Sequence, residues 1–279
     1  MQKDVKEVFY FHAAANSLGG YIDAPYRVIH AQASVALPAV GGYASTRLDD
    51  FKFEEIVSCR STFTHVAGRT VQTNGPWKAR VTSVIEGLNI LNVVTADRAV
   101  ARFFAEFPAD GGAPRVSFAG THFHNLRFEG KEAGLTFNST LLPAHHRGGD
   151  VYNEDESVPA EIEWQVLQEV AQQQSRALRD TAGIPGWAVE RYGWVSSTER
   201  TANGGFAICS LVDRVETAVP GQSFGHFLEI PDIGRFFLAE ALVHPRSVEL
   251  TMIRADLGCA TQGQASAASG VVGGHTMPP

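Results

Sequence analysis

The stretch TADRAVARFFAEF, residues 95–107, fits two incompatible periods. Arg98, Arg102 and Glu106 fall at the i, i+4 spacing of one helix side, whereas Ala99, Ala101, Phe103, Ala105 and Phe107 line one face of a strand. A second stretch decides between them. VARFF at 100–104 recurs as IGRFF at 233–237, inside IPDIGRFFLAEALV, where Pro231 and Gly234 suit a turn and a strand entry better than a helix interior. Residues 95–107 are therefore expected to be a strand.

The same comparison extends along the chain. SVIE at 83–86 resembles SLVD at 210–213, RVSF at 115–118 resembles SVEL at 247–250, and NLRF at 125–128 falls near ADLG at 255–258. Each match is short, and their common order reads as an internal duplication. Period-two alternation supports strands elsewhere. In RVIHAQASVAL, Ile29, Ala31, Ala33, Val35 and Leu37 share a face, and in GLTFNSTLL so do Leu135, Phe137, Ser139 and Leu141. Turn signals at Gly41-Gly42, Asn74-Gly75-Pro76 and Asp110-Gly111-Gly112 separate the runs.

The expected fold is mainly β, with two related antiparallel β-sandwich or barrel-like units joined by one long amphipathic helix. Residues 1–142 form the first unit and 184–257 the second. Residues 143–158 are a connector with Gly148-Gly149 and four acidic residues, Asp150, Glu154, Asp155 and Glu156. The long helix covers 159–183, with Ser157 as N-cap, Pro159 in the first turn and Gly183 and Pro185 at its end. Its apolar stripe is Ile162, Val166, Leu167, Val170, Ala171 and Leu178, with Gln172, Gln173 and Gln174 facing out. From 258 to 279 small residues without periodicity read as a loosely held tail.

Composition narrows the function. The 23 basic and 30 acidic residues give a net charge of −7, which repels phosphate backbones unless basic residues gather on one face. Arginines are scattered and no basic run occurs, so no nucleic-acid partner is expected. Three cysteines far apart make no disulfide framework, and Cys59 and Cys209 read as small buried thiols. The N-terminal twenty residues lack an apolar core of the signal-peptide kind, and no run of 18 apolar residues occurs, so the expectation is a cytoplasmic chain with no membrane span.

The chemistry-bearing stretch is GTHFHNLRF, residues 120–128. If residues 115–129 are one strand, His122 and His124 share its apolar face with Phe118, Leu126 and Phe128. Two same-face histidines can chelate a divalent transition metal, and His145 and His146 in the following connector are candidates to complete the set, with Asp150 or Glu154. Satisfied inward histidines are the competing reading, and the second copy has no histidine at this place. There is no G-x-S-x-G elbow and no Gly-rich phosphate loop. Consecutive phenylalanines at 103–104 and 236–237 put a ring on each side of a sheet, so both faces need cover. The expectation is a non-catalytic, self-associating structural or binding β protein without a cofactor. The alternative is an enzyme or ligand-binding protein, with a small apolar ligand or a metal in a pocket lined by His122 and His124.

Overall fold

The computed structural model describes residues 8–71, 75–144, 161–195, 207–258 and 261–277. The chain begins with β1 (Val8–Asp23), β2 (Tyr26–Gln32), β3 (Val35–Ala36) and β4 (Gly42–Phe53). Three long strands follow, β5 (Val57–Thr70), β6 (Trp77–Ile90) and β7 (Val94–Phe107). Short strands β8 (Arg115–Ser117), β9 (His122–His124), β10 (Arg127–Phe128), β11 (Lys131–Glu132) and β12 (Gly134–Phe137) come next. After α1 (Trp164–Arg179) and α2 (Gly186–Val195) come β13 (Ala207–Ser210), β14 (Val212–Glu216), β15 (Gln222–Phe224) and β16 (Phe227–Ile230). The last three strands are long: β17 (Gly234–His244), β18 (Ser247–Gly258) and β19 (Gln262–Met277).

Two large antiparallel sheets result. The first runs β15-β16-β17-β18-β19-β1-β2, with β13 also on β17 and β3 on β1. The second runs β11-β10-β7-β6-β5-β4, with β8 and β9 also on β7, and β12 pairs β14 as a separate ribbon. The sheets meet across one shared core. Phe9 of β1 stacks on Trp77 of β6 at 4.6 Å and leans on Phe107 of β7 at 5.1 Å. Ser83 of β6 donates its hydroxyl to the carbonyl of Asn16 in β1 at 2.9 Å, so a polar group in the core is satisfied across the gap.

Residues 95–107 are strand, as alternation and the second stretch implied. Ala99, Ala101, Phe103, Ala105 and Phe107 of β7 are all buried toward the first sheet. The two-unit division does not hold. The first unit contributes β1 to the first sheet and β4–β7 to the second, and β1 pairs with β19 from Val8↔Met277 to Ile22↔Gly263. Nor do the repeated stretches share a register: Ser83 pairs with Ala101, but Ser210 pairs with Glu240 rather than Gly234. The resemblance of short apolar strands accounts for the matches without a repeated unit.

The tail is the sharpest correction. Residues 262–277 form β19, a central strand flanked by β18 and β1. Its small residues are a packing requirement. A Cβ on Gly270 would lie 2.3 Å from Val81 Cγ1 of the facing sheet, and one on Gly274 would lie 2.2 Å from the Phe9 ring. Close approach of the sheets selects glycine and alanine here.

The helix is shorter than expected and does not link two units. α1 begins at Trp164, with Glu163 at the N-cap position, and Ser157 and Pro159 lie outside the described residues. Ile162 instead forms a backbone bridge to Val116. Leu167, Val170, Ala171 and Leu178 are buried as the stripe predicted. Gln174 does not face out: its amide bonds Ser210 N and O at 2.8 Å, fixing α1 to β13. The chain then forms α2, which the sequence reading placed in the second β unit. Residues 145–160, most of the connector and the first two residues of the expected helix, lie outside the described residues.

The facing contact at Gly270 is testable. Gly270→Ala is expected to cost about 1–3 kcal/mol by overpacking against Val81, and Val81→Ala in the same chain to recover part of it. Urea unfolding of the two single variants and the double variant measures the coupling. Strictly additive losses would show that the two positions do not meet.

Candidate functional site

Residues 115–129 do not form one strand, which changes where the histidines point. β8 ends at Ser117, a turn closes with Thr121 N–H donating to Phe118 O at 3.1 Å, and Gly120 has φ +85°. β9 then carries only His122–His124, and Asn125, at φ +50°, turns the chain again before β10. Each left-handed residue resets the alternation. Phe118, Leu126 and Phe128 are buried, but His122 is half-buried and His124 exposed. The two histidines do share a face, the outer one of the second sheet.

On that face strand register lines up rows of side chains. One row runs Arg47–Phe63–Val84–Val100–His122 across β4, β5, β6, β7 and β9, and the next runs Asp49–Ser61–Glu86–Arg98–His124. Val84 and Val100 are buried beside Phe63 beneath the longer neighbours. His122 Nδ1 lies 2.8 Å from Gly120 O, and burial lowers its pKa from the ordinary value, against the pull of that carbonyl. His124 Nδ1 is 3.7 Å from Asp97, whose carboxylate also accepts a bond from Asn125 Nδ2 at 2.6 Å. Among the described residues no group of three or more His, Cys, Asp or Glu side chains is arranged to hold a metal ion. His145 and His146 lie outside the described residues.

A denser polar cluster sits on the outer face of the first sheet, under α2. It was not legible in the sequence. Glu240 of β17 is the centre: Tyr192 of α2 donates its hydroxyl to Oε1 at 2.6 Å, and Arg191 Nη2 donates to Oε2 at 3.3 Å. Arg254 Nη2, from β18, lies 3.1 Å from the same Oε2. His226 Nε2 is 2.9 Å from the Tyr192 oxygen and 3.3 Å from Glu240 Oε1. Since the tyrosine proton goes to the carboxylate, the imidazole N–H is the donor shared by the two oxygens.

A backbone irregularity assembles the cluster. Ala239 has φ +49°, so Leu238 and Ala239 both belong to the inter-sheet core. Phe237 and Glu240, on either side of them, both turn outward; Phe237 packs on α2 through Trp187, at 5.9 Å. Strict alternation would have given Glu240 the core face of Phe236. Arg254 lies over the Phe237 ring at 3.8 Å and Arg235 over Trp187 at 4.2 Å.

The electrostatics follow from burial and partners. Burial alone would raise the Glu240 pKa, but the hydrogen bond from His226 and the charges of Arg254, His226 and Arg191 outweigh it and hold the carboxyl at about 2, from an ordinary 4.5. Tyr192 is pushed well above its ordinary 10, first by burial and then by the Glu240 charge, so it stays a donor. The carboxylate is saturated by donors on both oxygens and has no role as a base at neutral pH. Cys59 and Cys209 are buried with pKa values of about 11 and about 12, inert thiols as expected, while Cys259 lies outside the described residues.

The molecule is thus a mainly β protein of two facing antiparallel sheets, with α2 locked onto one of them by a buried ion cluster. The chain belongs to the family described as Domain of unknown function (DUF8256), whose model matches residues 9–244. No curated protein and no solved structure matches it. Among the described residues no helix is long and apolar enough to cross a membrane.

The sign of the pH dependence is set by Glu240. Its folded pKa lies below its unfolded one, so its stabilisation is complete above pH 4.5 and is lost as the pH falls toward 2. Glu240→Gln is expected to cost about 3–5 kcal/mol at neutral pH, because two arginines lose their buried counter-charge, and to flatten this acid limb. Unfolding curves of both chains between pH 2 and pH 7 measure it. An acid limb of unchanged steepness in the variant would refute the assignment.

Proposed function

We infer that this chain is a non-catalytic binding protein that associates with a second copy of itself through an open sheet edge. The observation that carries the reading is β4. Among the described residues it pairs only with β5, and none of its twelve residues is buried. A strand of that length with a free backbone edge is a template for another strand. The other sheet ends are shorter: β15 has three residues, β11 two and β2 seven, against twelve in β4. Tyr43 on β4 is 76% exposed, and Val40 just before it 78%.

Self-complementarity selects a second copy as the occupant. Antiparallel pairing of two β4 strands about a twofold axis at Leu48 sets Arg47 opposite Asp49 of the partner subunit, and the reverse. Opposite charges directly across a ladder attract. Within one chain Arg47 and Asp49 already lie 3.0 Å apart and exposed, so exchanging them between copies buries no unpaired charge.

Light scattering on the full chain from 1 to 100 µM is expected to show a monomer–dimer equilibrium. Arg47→Asp places like charges against each other and is expected to weaken the dimer by tenfold or more, and the swap Arg47→Asp with Asp49→Arg to restore it. A wild-type chain that stays monomeric at 100 µM would sink the reading.

A further inference from the structure

We propose that His12 and His275 together bind one divalent transition-metal ion, of the Cu²⁺, Ni²⁺ or Zn²⁺ class, on the outer face of the first sheet. Such an ion joins the first strand of the described chain to the last. Strand register brings the two residues together. Tyr10 of β1 pairs with His275 of β19, and His12 pairs with Gly273. Phe9, Phe11 and Ala13 are buried in the inter-sheet core, so alternation turns Tyr10 and His12 outward. The Gly274 position faces the Phe9 ring, so Gly273 and His275 turn outward with them. His12 is exposed and His275 half-buried. The place opposite His12 carries no side chain, and His275 leans across it, so that the ring centres are 5.2 Å apart and the ring planes 12° from parallel. Diagonal neighbours in an antiparallel pair otherwise stand about 7–8 Å apart.

The chemistry of the pair names the ligand. Imidazole nitrogen binds these ions at about 2.1 Å, and two imidazoles sharing one ion at a tetrahedral angle have ring centres roughly 5 Å apart. His12 and His275 already have that separation. Aiming one nitrogen of each ring at a common point takes only a χ2 rotation, and that torsion is broad for histidine. Among the described residues neither ring makes a hydrogen bond. Their contacts are with each other and, for His275, with Tyr10 at 6.1 Å. The ring nitrogens are therefore open to an ion, whereas His122 Nδ1 is engaged by Gly120 O. Two protein ligands with water in the remaining positions make an open site, distinct from a closed structural one. Its placement gives it a consequence. An ion held by both strands favours the chain in which β1 and β19 are paired over any state in which they part, by mass action.

The test is amide hydrogen exchange of the full chain, free of an affinity tag, with and without Ni²⁺. In the wild type, Ni²⁺ is expected to slow exchange at residues 8–12 and 273–277 at least tenfold. His12→Phe and His275→Phe keep a ring at each place and remove its nitrogens, and each alone is expected to abolish the slowing. A wild type that Ni²⁺ leaves unchanged would overturn the proposal, and so would slowing that survives in either variant. Should a phenylalanine variant not fold, the alanine change at the same position decides in its place. His122→Ala with His124→Ala is expected to keep the slowing, and its loss there would move the ion to the other histidine pair. Equilibrium dialysis is expected to show one Ni²⁺ fewer per chain in each phenylalanine variant, and equal binding would refute the site. The slowing is expected to be the same from 1 to 100 µM chain. Slowing that grows with chain concentration would mean an ion shared between two copies and would overturn the assignment to one chain.

Discussion

The pairing of β1 with β19 is the constraint on which the rest depends. It joins the two ends of the described chain along almost the whole length of both strands, so the first sheet exists only once the last strand has arrived. β19 also pairs with β18 and lies over β6, where Gly270 faces Val81. A strand enclosed on both edges and overlain by another sheet must satisfy its backbone in the ladder and keep its side chains small. The composition of residues 262–277 is the consequence. It also means that most of the core is held by contacts distant in sequence, and such contacts form only after long loops have closed.

What the sequence revealed and what it hid divide along that physical line. Residues 95–107 were legible because Ala and Phe alternate strictly from Ala99 to Phe107, and β7 keeps that alternation over those residues. The tail was not, since small residues without period look alike in a loose segment and in a strand pressed between neighbours; only the facing Val81 and Phe9 distinguish the two. The histidine phase failed for a local reason. Gly120 and Asn125 take left-handed conformations, and each shifts the face of everything after it. Gly120 is a visible turn signal in the sequence. Asn125 is a weaker one.

The Glu240 cluster was hidden for both reasons together. Its members, from Arg191 to Arg254, meet through two strands, the β15–β16 turn and one helix, and Ala239 at φ +49° moves Glu240 off the core face that alternation assigns it. The one available signal was the glutamate itself, a lone charge inside the apolar run FFLAEALV. A buried charge without partners is prohibitive, so such a residue announces that cations converge on it from elsewhere in the fold.

That cluster and the exposed pair on β4 are opposite uses of the same residue type. Beneath α2, Arg191 and Arg254 are spent on a buried carboxylate, and their planar donors fix the angle at which the helix meets the strands. Replacing the cluster by apolar side chains of equal volume would leave a stable contact but not a directional one. On the second sheet Arg47 stands on the outer face 3.0 Å from Asp49 and keeps 61% of its side chain exposed. An exposed pair of that kind is screened by water and salt, whereas a buried one holds its geometry. Directional contact by charge in this fold therefore belongs to the buried cluster beneath α2, not to the exposed pair on β4.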